Sequence, residues 1–120
     1  MEPVVNPQRG EIWRVEFEPS RGAEIRKTRP AVVMNVATAG KLALRVIVPL
    51  TGWQPPFERV FWHVRIEPET SNGLDKISSA DTFQVRSLSI ERFVDRIGEL
   101  NAEQIAAIAQ AISVVVGRTL

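Results

Sequence analysis

Between residues 11 and 50 the apolar side chains recur at about every second position, and the gaps between the apolar runs are short. That combination narrows the fold more than any other feature of the chain. In residues 11–18, Trp13, Val15 and Phe17 alternate with Arg14, Glu16 and Glu18, the pattern of a half-buried strand. Residues 30–37 form a shorter, more apolar run opened by Pro30. Residues 42–50 form a third, rich in branched side chains, with a turn signal at Gly40-Lys41 before it. Parallel neighbours need crossovers of about a dozen residues or more, so an antiparallel meander is expected.

Thr51-Gly52-Trp53-Gln54-Pro55-Pro56 reads as a loop, because paired prolines cannot donate to a ladder. In residues 57–66, Val60, Trp62, Val64 and Ile66 share a phase that predicts a fourth strand, with His63 on its other face. Residues 70–73 predict a turn, and residues 77–87 a fifth, more polar extended stretch. Ser89 is a candidate cap for a helical turn over 89–92. Residues 93–97 predict one more strand, stopped at Gly98. The end of the chain changes period. Asn101 with Gln104 forms a capping pair, and Ile105, Ile108, Ala109, Ile112, Val115 and Val116 follow at helical spacing up to Gly117. The expected fold is mainly β (α+β), a strongly bent antiparallel sheet or partly open barrel closed by a C-terminal α-helix.

The 120 residues suit one domain, residues 1–120, and 44% hydrophobic with 24% charged residues is the balance of a folded chain. There is no cysteine, and His63 is the only histidine, so neither a disulfide framework nor a thiolate or histidine-rich zinc site is expected. No signal peptide or membrane-spanning run is evident, and a cytoplasmic location is expected. The net charge of +1 conceals an asymmetry. Residues 1–65 carry ten Lys and Arg against six Asp and Glu, and residues 66–120 carry five against eight.

The first half concentrates its charge in residues 21–30, where Arg21, Arg26, Lys27 and Arg29 stand against Glu24 alone. Such a loop repels itself unless an anion arrives to share it; a merely solvated loop is the plainer reading. Pro30 biases Arg29 toward extended backbone, which pins this one cation where loop meets strand. No glycine-rich phosphate loop, nucleophile elbow or histidine-based triad is present. Arginine, threonine and glutamate without a metal suit a phosphodiester that brings its own nucleophile, and RNA does so with its 2′-hydroxyl. Arg29 can give two parallel hydrogen bonds to a phosphate and Thr51 one more.

These residues lie within a longer match. Arg9-Gly10-Glu11-Ile12-Trp13, Gly22-Ala23-Glu24, Arg29-Pro30-Ala31-Val32-Val33, Val48-Pro49-Leu50-Thr51, Gly73-Leu74 and Gln84-Val85-Arg86-Ser87, in that order, resemble the MazF/PemK toxins of type II toxin–antitoxin systems. The resemblance implies an SH3-like barrel, a homodimer, and metal-independent, sequence-specific cleavage of single-stranded RNA without a cofactor. It also implies neutralisation by a cognate antitoxin. By position it puts the catalytic Arg and Thr on Arg29 and Thr51, and Glu24 on an acidic loop position. Gln84 and Arg86 fall on a motif with structural or RNA-contacting roles. Arginine is a poor base, so Arg29 is expected to stabilise charge and donate to the leaving oxygen, while Glu24 or solvent takes the 2′-hydroxyl proton.

Trp53 is a candidate stacking platform for a base or a dimer contact, and Arg21, Arg26 and Lys27 are candidate backbone contacts. Two alternatives remain open on the residues alone: a toxin of the same fold that binds and poisons DNA gyrase, and a non-catalytic RNA-binding module.

Overall fold

Strand β1 (Glu11–Val15) sits between β2 (Arg29–Val33) and β7 (Phe93–Glu99), antiparallel to both. In this computed structural model, which describes residues 5–17, 27–37 and 42–119, β2 pairs in turn with β3 (Leu44–Gly52). The nine residues of β3 organise the rest. Its first half pairs with β6 (Arg86–Ser89) and its second half with β5 (Ser78–Asp81), which pairs with β4 (His63–Ile66). All these pairs are antiparallel. With β4 and β7 left at the two ends, the sheet is bent but unclosed, the expected partly open barrel.

The two faces of this sheet carry separate cores. Ile12, Val32, Val48, Leu50, Ile66 and Ala80 pack with Leu100 and Ile108, beneath helix α1 (Ala102–Val115). Val15, Ala31, Val33 and Ile47 point the other way and meet Leu88 and Phe93. The helix begins as expected. The Asn101 side chain accepts from the Gln104 amide at 2.8 Å and the Gln104 side chain accepts from the Asn101 amide at 2.9 Å. It ends at Gly117, whose φ of 108° favours glycine.

Four expectations need correction. Thr51 and Gly52 are strand, not loop, because β5 supplies partners for them: Thr51 pairs with Ser79 and Gly52 with Ser78. Residues 57–66 are not one strand. Pro55–Arg59 is a 3-10 helix entered through its two prolines, and the strand begins only at His63. Residues 77–87 are likewise two strands, divided by the 3-10 turn Thr82–Gln84 that moves the chain along the edge of β3. Finally, Gly98 does not stop its strand. A Cβ there would lie 2.4 Å from the carbonyl carbon of Asn72, so the residue is glycine because another backbone crosses it. The helical turn after Ser89 is present as Ile90–Arg92, with the Ser89 hydroxyl accepting from the Glu91 amide. Gly40-Lys41 lies outside the described residues.

Candidate functional site

The register of three strand pairs brings the expected residues into line. Ala31 faces Pro49 and Val33 faces Ile47 across β2 and β3. β2 begins at Arg29, two residues before Ala31, and β3 runs two residues past Pro49 to Thr51, so both lie at the same end of this strand pair. Thr51 faces Ser79 on β5, and Ser79 faces Arg65 on β4. Directly opposed residues share a face of the sheet, so Thr51, Ser79 and Arg65 form one row across three strands, with Arg29 at the β2 end beside it. At a strand spacing of about 4.8 Å the row is about 10 Å long. One pleat away lies a second row on the same face, with Asp81 opposite His63. Leu50, Ala80 and Val64 alternate with these rows and point into the core under α1.

At one end of the row Arg29 and Thr51 are exposed. Neither makes a side-chain hydrogen bond or ion pair with another described residue. Lys27 and Thr28, just before Arg29, are also exposed. Arg21, Glu24 and Arg26 lie outside the described residues. A further cation stands on the other face of β3, since the Cβ direction of Gly52 alternates with that of Thr51. The Lys76 ammonium reaches over Gly52, 3.2 Å from where a Cβ would stand, in a space that any larger residue would reduce.

The other end of the row is fixed by stacking and ion pairs. The Phe57 ring lies parallel on the His63 imidazole with centroids 3.7 Å apart, and Trp53 meets Phe57 edge-on at 5.6 Å. The Arg65 guanidinium sits 5.5 Å above the Trp53 ring and is tied to Glu67 at 2.8 Å and Glu58 at 3.7 Å. His63 Nδ1 shares a 2.8 Å hydrogen bond with the fully buried Ser79 hydroxyl. Gln84 donates from Nε2 to Asp81 Oδ2 at 2.7 Å, and Asp81 is only 9% exposed. Arg86 does not join the row. It stands opposite Ile47, two pleats from Thr51, with its guanidinium 5.7 Å above Phe17.

The arrangement thus offers a guanidinium and a hydroxyl that bond no described residue at the same end of β2 and β3, the exposed Lys27 just before Arg29, and an aromatic and polar shelf beyond Thr51. Ser79, Asp81, Arg65 and His63 were not picked out as site residues, because their place depends on the β3–β5–β4 pairing. Among the described residues no three His, Asp or Glu side chains are grouped to hold a metal ion. No helix among the described residues is long and apolar enough to cross a membrane.

Residues 8–116 match the model of the PemK-like, MazF-like toxins of type II toxin–antitoxin systems. The chain belongs to that family. Among curated relatives of this PemK/MazF chain, Endoribonuclease MazF9 of Mycobacterium tuberculosis (strain ATCC 25618 / H37Rv) is 32% identical over 111 residues, covering 88% of this chain and 92% of the relative. Endoribonuclease MazF of Staphylococcus saprophyticus is 26% identical over 110 residues, covering 92% and 91%. The fold is shared with a crystal structure of MazE–MazF from Deinococcus radiodurans, with a TM-score of 0.75 at 22% identity, covering 95% of this chain and 98% of that one. It is shared as well with a mycobacterial endoribonuclease in complex with its cognate antitoxin, with a TM-score of 0.73 at 19% identity, covering 95% and 98%.

Proposed function

We propose that this PemK/MazF protein is an endoribonuclease toxin that cleaves single-stranded RNA at short sequences without a metal ion. The observation that supports the reading is that the exposed Arg29 and Thr51, neither bonded through its side chain to a described residue, lie at the same end of the paired strands β2 and β3. A phosphate lying across β2 and β3 meets a bidentate cation from one strand and a hydroxyl donor from the next. The relatives named as endoribonucleases support the same reaction class.

In the proposed reaction the RNA 2′-oxygen attacks the adjacent phosphorus, its proton passing to Glu24 or solvent. Arg29 and Thr51 neutralise charge on the pentacoordinate phosphorus and hold it in line. The P–O5′ bond breaks, Arg29 donates a hydrogen bond to the leaving oxygen, and that oxygen takes its proton from solvent. The products are a 2′,3′-cyclic phosphate and a 5′-hydroxyl. DNA has no such nucleophile and stays intact. The exposed cations Lys27 and Arg29 also form a surface that an acidic, flexible antitoxin tail would cover, in a protein acting as a homodimer.

Incubation with a long single-stranded RNA in EDTA tests this. Cleavage that persists with the chelator and is lost in Arg29→Ala and Thr51→Ala is expected. Intact RNA together with binding to DNA gyrase would overturn it in favour of the non-enzymatic toxin.

A further inference from the structure

Gln84 is exposed, yet its amide is not free to turn. Its Nε2 donates to Asp81 Oδ2 at 2.7 Å, and a carboxylate oxygen accepts but does not donate. The flipped amide would set two acceptors against each other, so the chemistry of the pair fixes which end of Gln84 faces inward. Asp81 itself is held firmly. It ends β5, it is 9% exposed, and it stands opposite His63, whose ring is clamped under Phe57. Its Oδ1 is buried without a hydrogen-bond partner, the one such side-chain atom among the described residues. No other group among the described residues therefore competes with Gln84 for this carboxylate.

The consequence lies at the other branch of the amide. Gln84 Oε1 forms no hydrogen bond with a described residue and belongs to an exposed side chain. Asp81, to which the amide is fixed, lies one strand and one pleat from Thr51 on the same face, roughly 7–8 Å by the usual diagonal spacing. The amide held against Asp81 is thus close enough to meet a nucleotide next to a phosphate held at Thr51.

Resting on the endoribonuclease reading, we infer that Gln84, locked by Asp81, is a specificity-determining residue that presents an acceptor to a base flanking the cut. It selects a base bearing an exocyclic amino group. A 2′-hydroxyl both donates and accepts, so reading one needs no oriented amide. A fixed orientation matters where donor must be told from acceptor, as at base edges. Asp81 acts only through Gln84 and is a positioning residue.

The test uses a defined RNA that the wild-type protein cuts, with single-atom-group analogues on either side of the cut. Purine riboside replaces adenosine, inosine replaces guanosine, and pyrimidin-2-one riboside replaces cytidine, each removing only the amine. At one flanking position the loss should lower kcat/KM by about tenfold or more for the wild type. Gln84→Ala, an exposed substitution that leaves the fold intact, should cut both substrates within about twofold of each other. Asp81→Asn offers Gln84 a donor, frees the amide to flip, and should shrink or reverse the discrimination.

Two results overturn the inference while leaving endoribonuclease activity standing. One is a wild-type protein indifferent to the amine at every flanking position. The other is a Gln84→Ala or folded Asp81→Asn variant that keeps wild-type discrimination. RNA left uncut by the wild type overturns the cleavage reading itself, and this inference with it. If Asp81→Asn does not fold, the Gln84→Ala result decides alone.

Discussion

Thr51 and Ser79 face each other across β3 and β5, one hydroxyl exposed and the other completely buried against His63 Nδ1 at 2.8 Å. The pair divides two tasks between similar groups. Ser79 holds the shelf together, while the Thr51 side chain makes no hydrogen bond with a described residue. Ser79→Ala should therefore remove a satisfied buried hydrogen bond and cost about 1–2 kcal/mol in urea unfolding. RNA cleavage at a temperature where the variant is folded should stay within about threefold of wild type, since surrounding contacts still hold the strand register.

Arg29 should show the opposite signature. It is exposed and makes no ion pair with a described residue, so Arg29→Ala should change unfolding free energy by less than about 0.5 kcal/mol. Cleavage should fall by at least about a hundredfold. Arg29→Lys should recover little, because an ammonium cannot give two parallel hydrogen bonds to one phosphate. Thr51→Ser keeps the hydroxyl and should keep most of the rate, whereas Thr51→Ala should not. Single-turnover cleavage with parallel denaturation curves separates these cases.

Lys27 is exposed two residues before Arg29, and the Lys76 ammonium lies over Gly52, the chain neighbour of Thr51. If each meets a phosphate, neutralising either one should flatten the dependence of log binding constant on log salt by about 0.7. The measurement needs an RNA with a 2′-deoxy nucleotide at the cut, so that binding is read without cleavage. An unchanged slope in Lys76→Ala would remove it from the RNA path.

What the sequence made legible follows from the range of each signal. Period-two alternation revealed β1, β2 and most of β3, and helical spacing with the Asn101–Gln104 pair revealed α1, because those signals are local. Arg29 and Thr51 were picked out, but Thr51 was assigned to a loop. Its strand character comes from Ser79, twenty-eight residues away and invisible to a local pattern. His63, Asp81 and Arg65 went unassigned for the same reason, since the faces they share are set by β5 pairing with both β3 and β4. Arg86 was grouped with Gln84 by motif, yet the 3-10 turn and the step to β6 send it toward Phe17 instead.

Gly98 was read as a stop signal when it is a crossing point. Gly98→Ala would drive a methyl group into the Asn72 carbonyl, with contacts of 2.4 and 2.5 Å to backbone atoms. Backbone cannot rotate aside as a side chain does, so the variant should lose at least about 2 kcal/mol of stability, visible as a lowered urea midpoint.

Trp53 offers the sharpest separation between a packing and a binding role. One side of its ring carries the Arg65 guanidinium, and Phe57 meets it edge-on, so the indole is already positioned before any ligand arrives. A base stacking on such a ring loses little to ordering, and stacking of this kind contributes about 1–3 kcal/mol per base. Trp53→Ala should weaken binding of the non-cleavable RNA by roughly tenfold, a typical share of that range. Trp53→Phe should restore most of it, since a smaller aromatic face still stacks. If the indole is only a prop for Phe57 and His63, the result inverts: Trp53→Ala lowers the unfolding midpoint while RNA affinity of the folded variant stays at the wild-type value. Measuring affinity and stability on the same preparations distinguishes the two roles, because only stacking on RNA makes the affinity loss exceed what unfolding explains.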